Sequence, residues 1–252
     1  MPILGVINQK GGVGKTTTAI NLAAALAATR RVLLVDLDPQ ANASSGVGVY
    51  EPEHTIYDVM SGNIAARRAV ISTQTPNLDI LAASSDLAGA AVELDASHES
   101  LQLLSRSLIG VRPNYDFIII DAPPTTGTLT LNALAAADHL IIPLQAEYYA
   151  LEGIAGMLET VDRVRDSLNE ELHILGIVLT MYDKRTNLAQ QVEENVREHL
   201  GDQVFNAVIP RSVRLAEAPS HGLPIFSYAP NSPGAETYRE LALEVIDRVN
   251  QE

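Results

Sequence analysis

No cysteine occurs anywhere in the 252 residues. That excludes disulfides, zinc–thiolate sites and an iron–sulfur cluster held by this chain, and it fits a reducing, cytoplasmic setting. No run of about 18 apolar residues exists, so no membrane-spanning helix is expected. The first apolar segment begins at residue 2 without a basic stretch before it, and a secretory signal peptide is not expected. Positive charge is scarce: 17 Lys and Arg against 31 Asp and Glu leave a net −14. Such a surface repels phosphate, so any nucleic-acid binding has to come from a local patch. Lysine is scarcer still, with only three, Lys10, Lys15 and Lys184, against fourteen arginines.

The length and a 46% hydrophobic composition suit one large α/β domain covering residues 1–252. The stretch from Ile3 to Thr18, ILGVINQKGGVGKTTT, organises it. An apolar run, Ile3 to Ile7, reads as a buried parallel strand, and a loop with Gly11, Gly12 and Gly14 leads into a helix. Glycines let backbone N–H groups converge on a phosphate with no Cβ in the way, and the helix N-terminus adds its dipole. In such a cradle Lys15 reaches the β- and γ-phosphates and the Thr16 hydroxyl is a Mg²⁺ ligand. One expected feature is missing: the P-loop pattern asks for glycine at position 9, where Gln9 stands, and a second lysine follows at Lys10. Retaining lysine at 10 and 15 in an arginine-rich chain points to chemistry, because a compact ammonium fits a phosphate cradle better than a planar guanidinium.

Downstream, strands alternate with helices, which predicts a doubly wound, mostly parallel α/β sheet of seven to eight strands. A helix from Thr17 to Ala28 is followed by the strand RVLLVD, which ends at Asp36 with Asp38 close behind. Carboxylates at the carboxyl end of a parallel strand stand at the rim where such sheets bind ligands. Helices are expected over Thr55–Ser61, Ala65–Ile71, Leu87–Leu94, Glu99–Leu108, Leu129–Ala137, Tyr148–Leu168, Asn187–Leu200 and Ala235–Asn250. Strands are expected over Leu78–Leu81, Phe117–Asp121, His139–Leu144, Leu172–Thr180 and Val204–Ile209. Arg67 and Arg68 read as a solvated helix face. The run FIIID delivers Asp121 to the Mg²⁺ shell in the manner of a Walker B strand. After the strand from Leu172, the chain reads Thr180-Met181-Tyr182-Asp183 where a guanine-specific protein needs Asn-Lys-x-Asp, which favours adenine. Lys184 and Arg185 follow that strand, and Pro210, Arg211 and Arg214 follow the next, so four cations stand at the carboxyl ends of two late strands.

The motif KGGVGKTT resembles the deviant Walker A box of the ParA/MinD superfamily, LVDLDPQ its second box and DAPPTTG its switch segment. IPRSVRLAEAPS and the later SPGA are similar to segments of Soj-type ParA proteins, so the resemblance runs nearly the whole length. It implies ATP and Mg²⁺ as cofactors, held by Lys10, Gly11, Gly12, Val13, Gly14, Lys15, Thr16 and Thr17, with Met181 and Pro210 near the adenine. It implies a homodimer formed on ATP, with Lys10 reaching the partner's nucleotide, and Asp38 orienting the attacking water beside the metal. It also implies sequence-independent binding of double-stranded DNA through Lys184, Arg185, Arg211 and Arg214, and hydrolysis stimulated by a ParB-type centromere-binding protein. The expected setting is the cytoplasm, on the nucleoid in the ATP state, and the expected output is segregation of a chromosome or plasmid.

Three rival readings differ in what they need. A MinD-like membrane-positioned ATPase needs a basic amphipathic C-terminal helix, whereas this one shows Glu236, Glu240, Glu244 and Asp247 against Arg239 and Arg248. Anionic lipid repels that face, and no membrane partner is expected. An iron–sulfur carrier of the same superfamily needs paired cysteines. A nucleotide-gated scaffold with negligible turnover has the same sequence features as an ATPase and is separated only by a hydrolysis assay.

Overall fold

Eight strands form one sheet in the order β3-β4-β2-β5-β1-β6-β7-β8 in the computed structural model, which describes residues 1–89, 97–147 and 150–251. The strands are β1 (Ile3–Val6), β2 (Val32–Asp36), β3 (Val70–Ser72), β4 (Leu78–Leu81), β5 (Phe117–Asp121), β6 (His139–Gln145), β7 (His173–Tyr182) and β8 (Val204–Pro210). Every pairing is parallel except β3 against β4. β1 lies where the chain order reverses, flanked by β5 and β6, and this switch point is where open α/β sheets take their ligands. Register then fixes the site: Val6 pairs with Asp121, and Asp121 with Asp36.

Alternation along each strand supplies both faces of the sheet. Leu33 and Val35 join one core with α3 (Ile56–Met60), α5 (Leu103–Leu108), α6 (Thr128–Ala136), α7 (Ala150–Ser167) and α8 (Asn187–Leu200). Val32 and Leu34 join the other core with α1 (Lys15–Ala27), α2 (Asn42–Gly46), α9 (Val213–Glu217), α10 (Ile225–Tyr228) and α11 (Pro233–Gln251). In α1, Ile20, Leu22 and Leu26 are buried, and in α11 the stripe Tyr238, Leu241 and Val245 is buried, with Val249 packed at its edge. Each such side chain contributes about 1.5–3 kcal/mol of burial. The Tyr238 hydroxyl meets Thr18 Oγ1 at 3.2 Å, joining the last helix to the first.

Two expectations differ from what is found. The helix expected over Ala65–Ile71 is only α4 (Ala66–Ala69), after which Val70–Ser72 pair antiparallel with Asp79 to Leu81. The β-branched Val70 and Ile71 are better accommodated on the sheet edge than in a helix. The segment from Glu99 begins as a 3₁₀ turn, Ser100–Gln102, before α5. Asn132 clamps that junction, accepting from Leu104 N at 3.1 Å and donating to Ser100 O at 2.9 Å. Of the helix expected over Leu87–Leu94, residues 87–89 are helical and the rest lies outside the described residues, as do residues 148–149 at the start of the one from Tyr148.

Candidate nucleotide site

The loop after β1 is built to hold one shape. Asn8, 2% exposed, donates through Nδ2 to Pro143 O at 2.7 Å and accepts from Lys10 N at 3.0 Å. Thr180 Oγ1 donates to Val13 O at 2.8 Å, so the ends of β6 and β7 pin the loop from the side. Gln9, standing where the P-loop pattern has glycine, donates to Thr160 Oγ1 of α7 at 2.9 Å. Gly12 and Gly14 have φ of 76° and 87°, left-handed values that a side chain rarely adopts. Gly14 is also the N-cap of α1, so that helix's first N–H groups open onto the loop.

Lys15 is 6% exposed, and its ammonium donates to Lys10 O at 3.0 Å. Burial lowers its pKa, while the nearby Asp121 and Asp38 carboxylates work the other way. Asp121 is fully buried, and neither of its oxygens has a hydrogen bond of good geometry. Burial first, and then Asp36, push its pKa well up; the Thr16 hydroxyl is near enough to favour the ionised form. A carboxylate so buried, with no hydrogen bond of good geometry, suits a cation as its partner. Among the described residues no cluster of three His, Cys, Asp or Glu could cage a metal. Mg²⁺ keeps waters and phosphate oxygens as ligands and needs only one or two groups from the protein. Thr16 and Asp121 fit this shell, with Asp38 beside it.

The end of β2 is stiff. Asp36, 0% exposed, accepts from Asp38 N and from Ser44, and burial raises its pKa to about 6. Leu37 N donates to Asp121 O at 2.9 Å, tying the two acidic strand ends together. Asp38 is 7% exposed and accepts from Gln40 N at 3.0 Å. After β5, Thr130 of α6 donates to Thr125 O at 2.6 Å and holds the segment that follows Asp121.

Beside the helix start lies a cavity of about 220 Å³ lined by Gly14, Thr17, Met181, Pro210, Ser212 and Tyr238 among others. Met181 and Pro210, both expected near a base, are thus brought to the P-loop although far apart in sequence. Met181 takes φ 52°, an uncommon value that turns the chain at the end of β7.

Of the four late cations, Arg211 is set beside the loop that carries Lys184 and Arg185, since its N–H donates to Tyr182 O at 3.0 Å, while Arg214 stands on the following helix α9. Two of them are not free. Arg185 forks onto Asp183 at 2.8 and 2.7 Å and holds that carboxyl down to about 2. Arg214 reaches Glu217 at 3.2 Å, and the Tyr228 hydroxyl donates to the same oxygen at 3.0 Å. The sequence reading also missed Glu147, whose carboxylate meets the Lys10 ammonium at 3.1 Å, and Ser44 and Tyr238. Only Glu217 had a local signal, its spacing of three from Arg214 on a helix.

A family model described as an AAA domain matches residues 1–174. The chain is 53% identical over 249 residues to the chromosome-partitioning ATPase Soj of Thermus thermophilus, covering 98% of this chain and 96% of that one. It is 48% identical over 251 residues to the chromosome partitioning protein ParA of Caulobacter vibrioides, covering 98% and 94%. Cobyrinic acid a,c-diamide synthase from Mycobacterium smegmatis, solved with a bound ATP analog and magnesium, superposes with a TM-score of 0.87 at 35% identity, covering 99% of this chain and 96% of that one. Near-full-length identity of this order, together with the deviant P-loop and the two acidic strand ends meeting at one rim, places the chain in the ParA/Soj family of chromosome-partitioning ATPases.

Proposed function

We propose that this protein binds ATP with Mg²⁺, dimerises through its nucleotide face, binds DNA without sequence preference as the dimer, and hydrolyses ATP when a ParB-type partner engages it. The observation that carries the reading is Asp121: a fully buried carboxylate without a hydrogen bond of good geometry, next to Lys15 and Thr16 behind a glycine loop. Mg²⁺, when bound, would be held by Thr16 and Asp121 and would supply positive charge that offsets the charge of the phosphates. The chain's own groups do the rest. The loop N–H groups and the start of α1 hold the phosphates, Lys15 balances their charge, and Asp38 orients the attacking water from the rim of β2. A loose transition state asks mainly for that orientation, not for a strong base. Lys10, half exposed at the lip of the loop, acts in this reading on the nucleotide of a facing protomer, and its exposure supports that role.

DNA binding follows from the cation patch at the ends of β7 and β8. One protomer offers few free charges on an acidic surface, and a dimer presents two patches at high effective concentration. The same net −14 attracts a basic peptide segment of the partner, and the attraction weakens with salt. The deciding experiment measures phosphate release and sedimentation with and without ATP, for wild type and Asp38→Ala. Wild type should turn over and dimerise with ATP, while Asp38→Ala binds ATP and accumulates as dimer. Wild-type turnover in Asp38→Ala would remove Asp38 from the mechanism, and no turnover by wild type even with a partner would leave a scaffold.

A further inference from the structure

Asp36 is bound up with its own backbone surroundings. Its Oδ1 accepts from Asp38 N at 3.1 Å, and its Oδ2 accepts from both Ser44 N at 2.8 Å and Ser44 Oγ at 2.7 Å. The Ser44 hydroxyl in turn accepts from Ala83 N at 2.9 Å, just past the end of β4. All of this is out of water: Ser44 is 1% and Ala83 2% exposed. The segment from Asp36 to Ser44 is therefore a closed loop. One carboxylate gathers donors from both ends of it, and one hydroxyl ties it to the neighbouring strand.

We propose that Ser44 is a positioning residue for ATP hydrolysis, fixing through Asp36 the backbone on which Asp38 stands. The position needs a group that donates to a carboxylate and accepts from an N–H at once, which a hydroxyl does and a methyl or thiol does poorly. Removing it leaves Ala83 N–H buried without an acceptor and takes a charge-assisted bond from Asp36. The loop keeps its fold through the remaining backbone bonds, among them Val49 N to Ser44 O at 2.9 Å. What it loses is the fixed placement of Asp38, and a displacement of about 1 Å in a positioning group can cost on the order of a hundredfold in rate. Ser44 can serve this role only if Asp38 orients the attacking water, as proposed.

The test compares Ser44→Ala with the matched pair Ser44→Thr and Ser44→Val, which share a shape and differ in the hydroxyl, and with Asp38→Ala. Each is purified as the full chain, checked by thermal melting, and assayed with ATP and Mg²⁺ for turnover and for nucleotide affinity. Ser44→Ala should lower kcat by roughly ten- to a hundredfold with ATP affinity within a few-fold of wild type. Ser44→Thr should exceed Ser44→Val in kcat by a similar factor. Should Thr and Val both fail to fold for their extra bulk, the Ala comparison decides alone. Wild-type kcat in Ser44→Ala beside an inactive Asp38→Ala would overturn the role of Ser44 and leave that of Asp38 standing. Equal losses of ATP affinity and turnover would mean a structural role and also overturn it. Full turnover in Asp38→Ala would instead sink the reading of Asp38 itself.

Discussion

The Lys10 ammonium stands 3.1 Å from Glu147 Oε2 of its own chain, across a separation of 137 residues. The pair is about half exposed on both sides, 49% and 47%, so it is worth no more than about 1 kcal/mol. A lysine held this weakly can exchange Glu147 for the phosphates of a facing protomer. A dimer breaks two such pairs, so Glu147→Gln should lower the protein concentration needed for ATP-driven dimerisation by up to about thirtyfold, read by sedimentation. Lys10→Ala should lose dimerisation or hydrolysis, and Lys15→Ala should weaken nucleotide binding itself. A Lys10→Ala protein that dimerises and turns over normally would exclude action in trans.

Buried acids make the metal-free protein sensitive to pH. Burial raises Asp36 from 3.8 to about 6 and holds Asp121 well above its ordinary value, so the folded chain holds protons there that the unfolded chain releases near 4. The folded state then binds more protons than the unfolded one between about pH 4 and 6 and above, and this contribution to stability falls as pH rises through that window. Asp121→Asn, which cannot ionise, should show a smaller loss of urea midpoint from pH 5 to pH 7.5 than wild type, both without metal or nucleotide. Parallel curves for the two proteins would show that folded Asp121 ionises as it does in the unfolded chain and is not shifted upward.

DNA affinity should report the same electrostatics on the other side of the site. Arg185→Ala or Arg214→Ala should weaken binding of the ATP-bound dimer alike on all sequences and reduce the salt slope by about one for each phosphate that is no longer neutralised. Asp183→Asn should tighten binding, because Arg185 no longer has to leave a carboxylate that grips it in two bonds. Filter binding across a salt series checks all three. A double Arg185/Arg214 variant that binds as well as wild type would place the DNA interface elsewhere.

Packing near the C-terminus gives a prediction free of nucleotide. A Cβ on Gly176 of β7 would lie 2.6 Å from the Phe205 ring and 2.8 Å from Arg248 Nη1. Neither neighbour yields easily: Phe205 is fully buried, and Arg248 stacks on its ring at 4.3 Å while donating to Leu175 O and Val204 O. Gly176→Ala should cost about 1–3 kcal/mol in urea unfolding. An unchanged midpoint would mean that the ring and guanidinium shift freely.

Sequence alone determined what is written in contiguous residues. The glycine loop, Lys15 and Thr16, the acids closing β2 and β5, and the alternation of strands and helices each depend on spacing within a few positions, and periodic patterns make them legible. The tertiary structure decided what depends on pairs brought together by the sheet. Strand order set Asp36 beside Asp121, and the latter, buried with no hydrogen bond of good geometry, is shifted upward by that burial and by Asp36. It laid Glu147 on Lys10, tied Ser44 to Ala83 through one hydroxyl, and joined Thr18 to Tyr238 across 220 residues. Edge pairing turned Val70 and Ile71 from an expected helix end into part of β3, because a local preference yields where a neighbouring strand offers hydrogen bonds. Hydrogen bonds and charges act over a few ångströms of space whatever their distance along the chain, so these relationships exist only once the sheet has fixed which strand ends are neighbours.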